Sequence, residues 1–197
     1  MNFPIATDRI AALLDCPLAN VATYWPVIEQ CLEPPSLGLN SPEVAIAALA
    51  TVAVETARKF EAIDEYGDAA YFTRMYDING ERPNVARSMG NTEPGDGPKY
   101  HGRGLVQITW KDNYLHYGRL LGIDLVANPE EAKALYASSA ILAAYFYDHR
   151  LHGKKIGDAA RAKDWVAVRK SVNGGTNNLA DLLKYVGRLE AELVKVA

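Results

Sequence analysis

The chain has little of what would point to the commonest special chemistries. Cys16 and Cys31 are its only cysteines, too few for a disulfide framework, and they fit neither a CxxC nor a zinc pattern. Both are expected to be free, buried thiols. Histidines are sparse, at 101, 116, 149 and 152; His149 and His152 stand three apart, but no HExxH accompanies them. Neither a metal nor any other cofactor is therefore expected. No apolar run reaches the ~18 residues of a membrane span, which argues against stable membrane insertion. The opening MNFPIATDRIAALLDCP has no basic segment leading into an apolar core, so no secretory signal is read and the chain is expected to be made in the cytoplasm. P-loop, G-x-S-x-G and Cys-His patterns are missing too, and Gly102-Arg103-Gly104 lacks the third glycine of a dinucleotide fingerprint.

What is present is an ordinary globular composition. Over 197 residues, 49% are apolar and 23% charged, which suits one domain (1–197) with a short helical region (1–40) packed on its core. The net charge of −3 argues against nucleic acid as a partner. Charge is uneven, since residues 150–197 carry ten Lys and Arg against five Asp and Glu. That stretch reads either as a solvated helix face or as a surface for an anionic polymer.

Helical signals dominate, so the fold class is mainly α. Ser41-Pro42-Glu43 supplies a cap, a proline at the first helical position and an acid in the first turn. It predicts a central, nearly all-apolar helix running to about Phe60. Asn128-Pro129-Glu130-Glu131 repeats that signal before a run ending at His149. Asn173-Gly174-Gly175 predicts the stop of a helix begun near Asp158, and leucines from Leu179 to Leu193 recur at helical spacing. Between Asp77 and Gly104 the chain is rich in Gly, Pro, Asn and charge, and reads as a long ordered loop. GLVQITW after it reads as a short extended segment, with Thr109-Trp110-Lys111-Asp112 as a capping pattern for the next helix.

One carboxylate stands out. From Val44 to Val54 there is no charge after Glu43 is passed, and then Glu55 closes the run AALATVAVE. If the helix continues, Glu55 meets Lys59 four residues on in a surface pair of ~0.2–0.5 kcal/mol. Alternatively, its apolar neighbours Val52, Val54 and Phe60 keep it protonated, as a general acid requires. Hydrolysis also needs a second carboxylate, and Glu61, Asp64, Glu65 and Asp68 follow closely. A separation of about 6.5–9.5 Å would imply inversion and about 5–5.5 Å retention.

With these residues assembled, the chain resembles the family-nineteen glycoside hydrolases, the chitinase group that includes many phage endolysins. NTEPGDGPKYHGRGLVQITWKDNY, Asn91 to Tyr114, is similar to the family stretch N-T-x-P-G-D-G-x-x-Y-x-G-R-G-x-I-Q-L-T-x-x-x-N-Y. SVNGGTNNLADLLKY is similar to its N-G-G-x-N-G-L-A-D segment, and VAVETARKF stands where the family has His-Glu-Ser/Thr-Gly-Gly. The resemblance implies an α-rich, lysozyme-like fold with a loop-built cleft between helical lobes. It implies inverting hydrolysis of β-1,4 bonds beside N-acetylated sugars.

Carried over by position, Glu55 is the general acid, and Glu65 is preferred over Asp64 as the base because endolysin members often show a Glu-Glu pair there. Thr109 matches a residue that helps hold the attacking water. Gln107, Asn113, Tyr114 and Asn173 match sugar-contacting residues, and Tyr100 and Trp110 add flat ring faces. Arg103 either organises the cleft or ties the loop to an acid. Val54 replaces the family histidine, and Ala57-Arg58 replace Gly-Gly. The expected partner is peptidoglycan glycan, or chitin oligomers, bound by a monomer without a separate wall-binding module. Action on the wall would follow holin-type or external release. A non-catalytic wall-binding protein and a transglycosylase using Glu55 alone are the other readings.

Overall fold

The computed structural model describes residues 3–151 and 153–196; His152, half of the weighed histidine pair, lies outside them. The chain forms two compact units, Met1–Glu61 with Leu142–Ala197, and Ala62–Ile141.

The first unit is built around α3. Helices α1 (Thr7–Leu14) and α2 (Leu18–Leu32) precede it, and α3 covers Pro42–Glu55. The Ser41 hydroxyl accepts from the Val44 N–H at 3.3 Å, as the cap signal predicts. Every residue from Val44 to Ala53 is buried, so α3 has no solvent face and α1, α2, α9 (Ile156–Arg161), α10 (Trp165–Asn173) and α11 (Leu179–Val196) pack on it. It stops at Glu55, five residues before the predicted end. The Thr56 hydroxyl donates to the Val52 carbonyl at 2.7 Å and accepts from the Phe60 N–H at 2.9 Å, closing the chain back on itself. Ala57, Arg58 and Phe60 then adopt φ of 49°, 67° and 54°. The helix predicted from Asp158 is two helices, because Lys163 turns at φ 54° and Asp164 caps α10 through the Ala167 N–H. Gly174, at φ 69°, ends α10 as expected.

In the second unit, β1 (Ile63–Asp64) pairs antiparallel with β2 (Arg103–Gly104), Ile63 opposite Gly104 and Asp64 opposite Arg103. Extended structure in GLVQITW goes no further than this. Ile108 bridges back to Arg103, and Gln107 turns at φ 51°. The 77–104 segment is ordered, and it holds α5 (Pro83–Ser88) and α6 (Asp96–Lys99), with α6 packed on α4 (Ala69–Tyr76).

Its order comes from three buried polar side chains. Asp77 accepts from the N–H groups of Gly95 and Gly97, at 2.7 and 3.2 Å. Asp96 accepts from those of Thr92 and Glu93, both at 3.1 Å. Asn91 donates to the Tyr76 carbonyl and accepts from the Lys111 N–H, at 2.9 and 2.8 Å. That last bond caps α7 (Lys111–Leu121), whose own N-cap residue, Trp110, contributes no side-chain cap. The Thr109 capping pattern is thus replaced by a side chain twenty residues earlier. Before α8 (Leu135–Asp148) the Asn128 signal yields a 3-10 turn, Pro129–Lys133, rather than the helix start.

Candidate active site

In the first unit the site residue is Glu55, the last residue of α3. Its carboxylate accepts a hydrogen bond from Nη1 of Arg169 on α10. The Arg169 side chain is only 2% exposed, and its Nε also donates to the Asn177 carbonyl at 2.6 Å. A guanidinium this buried needs such partners, so one side chain ties Glu55 to the turn after α10. The expected i,i+4 surface pair is corrected: the helix ends at Glu55, and the partner of its carboxylate is Arg169 on a distant helix. Buried Tyr145 lies near enough that Glu55, after burial itself, helps push its hydroxyl pKa up. Asn173 stands exposed at the end of α10.

In the second unit, Glu65 follows β1. One carboxylate oxygen accepts from the Tyr76 hydroxyl at 2.6 Å and the other from the Gly102 N–H at 3.1 Å. Gly102 fits closely here: a Cβ would lie 3.1 Å from both the Gln107 Oε1 and the Glu65 Oε2, so a larger residue would shift one of them by a few tenths of an ångström. The Gln107 amide donates to the carbonyls of Ile63 and Gly104, both at 3.0 Å. Thr109 donates to the Gln107 carbonyl at 3.1 Å, and Asn113 to that of Thr109 at 2.7 Å. Trp110, half-buried, sets its ring edge-on to Tyr76 with centroids 5.0 Å apart. Five expected residues, Glu65, Gln107, Thr109, Trp110 and Asn113, therefore belong to one bonded set.

Asp64 is placed differently. It meets Lys133 at 2.5 Å and His101 and Arg103 at 3.3 Å each. Burial raises its pKa, but Lys133, His101 and Arg103 together outweigh that and hold it below the usual carboxylate value. Arg103 is 4% exposed and also binds Glu130, the Lys99 carbonyl and the Tyr114 hydroxyl. Of its two readings, the tie to an acid is the one realised.

Tyr100 and Tyr114 are corrected outright. They are 1% and 0% exposed and pack on each other with ring centroids 5.4 Å apart, so neither offers a face to a sugar. Sequence reasoning missed Arg169 and Tyr76. Arg169, four residues before Asn173 on a helix that buries Val168, carried a signal, since a cation on an apolar face needs an acid. Tyr76 carried none. Among the described residues no group of His, Cys, Asp and Glu is arranged to hold a metal.

Comparison with known proteins gives this geometry a family. The model of class I chitinases, glycoside hydrolase family 19, matches residues 38–169. The chain belongs to that family. The matched span includes all the expected site residues except Asn173, and it ends on Arg169. The chain is 34% identical over 95 residues to a glycosyl hydrolase family 19 domain-containing protein of Haemophilus influenzae, covering 48% of this chain and 43% of that one. It is 50% identical over 34 residues to inactive chitinase-like protein 1 of Hevea brasiliensis, covering 17% and 11%. The chain thus spans less than half the length of these relatives. Chitinase C from Streptomyces griseus HUT6037 has a similar fold, with a TM-score of 0.62 over 100% of this chain and 77% of that one at 18% identity.

Proposed function

We propose that this family 19 chain hydrolyses β-1,4 glycosidic bonds of bacterial peptidoglycan, as a phage-type endolysin. In the productive complex Glu55 must carry its proton despite the hydrogen bond from Arg169; it gives that proton to the leaving oxygen, and Glu65 takes one from the attacking water, inverting the anomeric carbon. The observation that carries this reading is the way Glu65 is held. Two neutral donors, the Tyr76 hydroxyl and the Gly102 N–H, orient its carboxylate. Among the described residues no cation is ion-paired with it, whereas Asp64 is bound to Lys133 and Arg103. A base oriented by neutral donors keeps lone-pair capacity for a water; a carboxylate stabilised by cations accepts a proton less readily. Thr109 and Asn113, bonded into the same set, supply polar groups beside that water and the N-acetyl group. Arg169 fixes the direction of the Glu55 carboxyl.

Peptidoglycan is preferred because Asp64-Glu65 resembles the acidic pair of the endolysin members. Chitin is the second reading, favoured by the structural likeness to a chitinase. A wall-binding protein without turnover is the third, favoured by the likeness to an inactive chitinase-like protein. The reading includes action as a monomer after release from the cytoplasm. Proton NMR of fresh products tests the mechanism: the α-anomer is expected first, and Glu65→Gln should abolish turnover while Asp64→Asn should not. A β-anomer, or the reverse order of the two variants, would overturn the assignment.

A further inference from the structure

Outside the residues given catalytic roles, the first unit has a cavity of about 330 Å³ bordered by Val54, Arg58, Asn178, Asp181, Lys184 and Tyr185. Val54 and Arg58 flank Glu55 in sequence, so the cavity opens beside the end of α3. Its charge is mixed. Arg58 is exposed, and among the described residues no carboxylate pairs with it or cation with Asp181. Lys184 is shared with Asp15 at 2.9 Å. The rim is built on unfavourable backbone: Ala57, Arg58 and Asn178 have φ of 49°, 67° and 57°. Glycine takes this conformation freely, whereas a side chain there is strained. An arginine held at that φ, bordering a cavity and ion-paired to no carboxylate among the described residues, is available to a ligand.

We infer that this cavity binds the peptide stem carried by the sugar chain. The inference rests on the peptidoglycan reading. A stem offers free carboxylates to Arg58 and Lys184 and a free ammonium to Asp181, with Asn178 able to pair with its amides. A chitin chain is neutral and offers none of these charges. The cavity would thus add substrate selection to a site whose carboxylates act on any β-1,4 N-acetylhexosamine bond.

The test is calorimetric titration of the whole chain with a peptidoglycan disaccharide carrying its tetrapeptide, and with the same disaccharide stripped of peptide. The peptide-bearing ligand is expected to bind at least about tenfold more tightly, the size of one charge-assisted contact pair. Arg58→Gly should erase that difference while leaving the melting temperature unchanged or higher, and Asp181→Asn should reduce it. Equal binding of the two ligands, or a difference that survives Arg58→Gly, would overturn the inference. The activity is judged separately: a preference that persists in a chain unable to cleave peptidoglycan would refute the proposed function alone. Cleavage without the preference would refute only the cavity's role.

Discussion

At the scale of single residues, the pair Glu55–Arg169 makes the sharpest demand. Glu55→Gln keeps an oxygen for the guanidinium, so it should lower turnover by about 10²–10⁴-fold with little loss of stability. Arg169→Met should leave a largely buried carboxylate unpaired and cost about 3–5 kcal/mol, read by urea unfolding. If Arg169→Met unfolds no more easily than wild type, the ion pair is not the anchor described. Glu55 itself was legible as the odd charge closing an apolar run. Arg169 carried a signal of its own as a cation on an apolar face, but the pairing of the two was not legible, because it spans 114 residues and only packing brings them together. The same limit explains Tyr100 and Tyr114. A motif position tells which residue type occurs, but not whether the ring faces water or core.

At the scale of elements, the cap of α7 is borrowed from Asn91, which is fully buried and uses both ends of its amide. Asn91→Ala should cost about 2 kcal/mol, a lost cap plus an unsatisfied buried carbonyl. It should also disturb Trp110 and Thr109 just before the helix, lowering activity along with the melting temperature. Unchanged stability would mean that α7 caps itself. Helix starts with a local cap, such as Ser41 on α3, could be read from sequence because both partners lie within one turn. The end of α3 could not. It depends on the Thr56 hydroxyl bonding both backward and forward, and a threonine in that position is equally at home inside a helix. The 77–104 segment was legible as ordered, but reading it as all loop missed α5 and α6, because the aspartates that order it bond across up to twenty residues.

For the molecule as a whole, charge sets the response to acid. Asp64 and Glu130 both have lowered pKa values: burial opposes this in Asp64, whereas the Lys133 hydrogen bond is the leading cause in Glu130. Groups with depressed folded values contribute stability above the unfolded value of about 4 and lose it as pH falls through the folded one. Melting temperature should therefore drop as pH falls below about 4, and Asp64→Asn with Glu130→Gln should flatten that drop. An unaltered profile in the double variant would place the acid sensitivity elsewhere. In the basic C-terminal stretch, by contrast, many of the cations are already paired with acids: Lys154 with Asp164 and Lys163 with Glu190, each at 3.1 Å, Arg161 with Asp158, and Lys184 and Arg188 with Asp15. That favours the solvated-face reading over an anionic-polymer surface. Cys16 and Cys31 are both free, Cys31 buried and Cys16 only half-buried against expectation, and burial still drives their pKa values up to about 12 for Cys16 and about 11 for Cys31. They are poor nucleophiles, in keeping with a chemistry run by carboxylates.

The most direct test of that chemistry is a mass-spectrometric product profile from purified peptidoglycan and chitin oligomers, run with the whole chain and with Glu55→Gln. The account predicts hydrolysed muropeptides with reducing ends from the wild type, little product from chitin, and none from the variant. Anhydro products, equal products from the variant, or no cleavage of either polymer would contradict it.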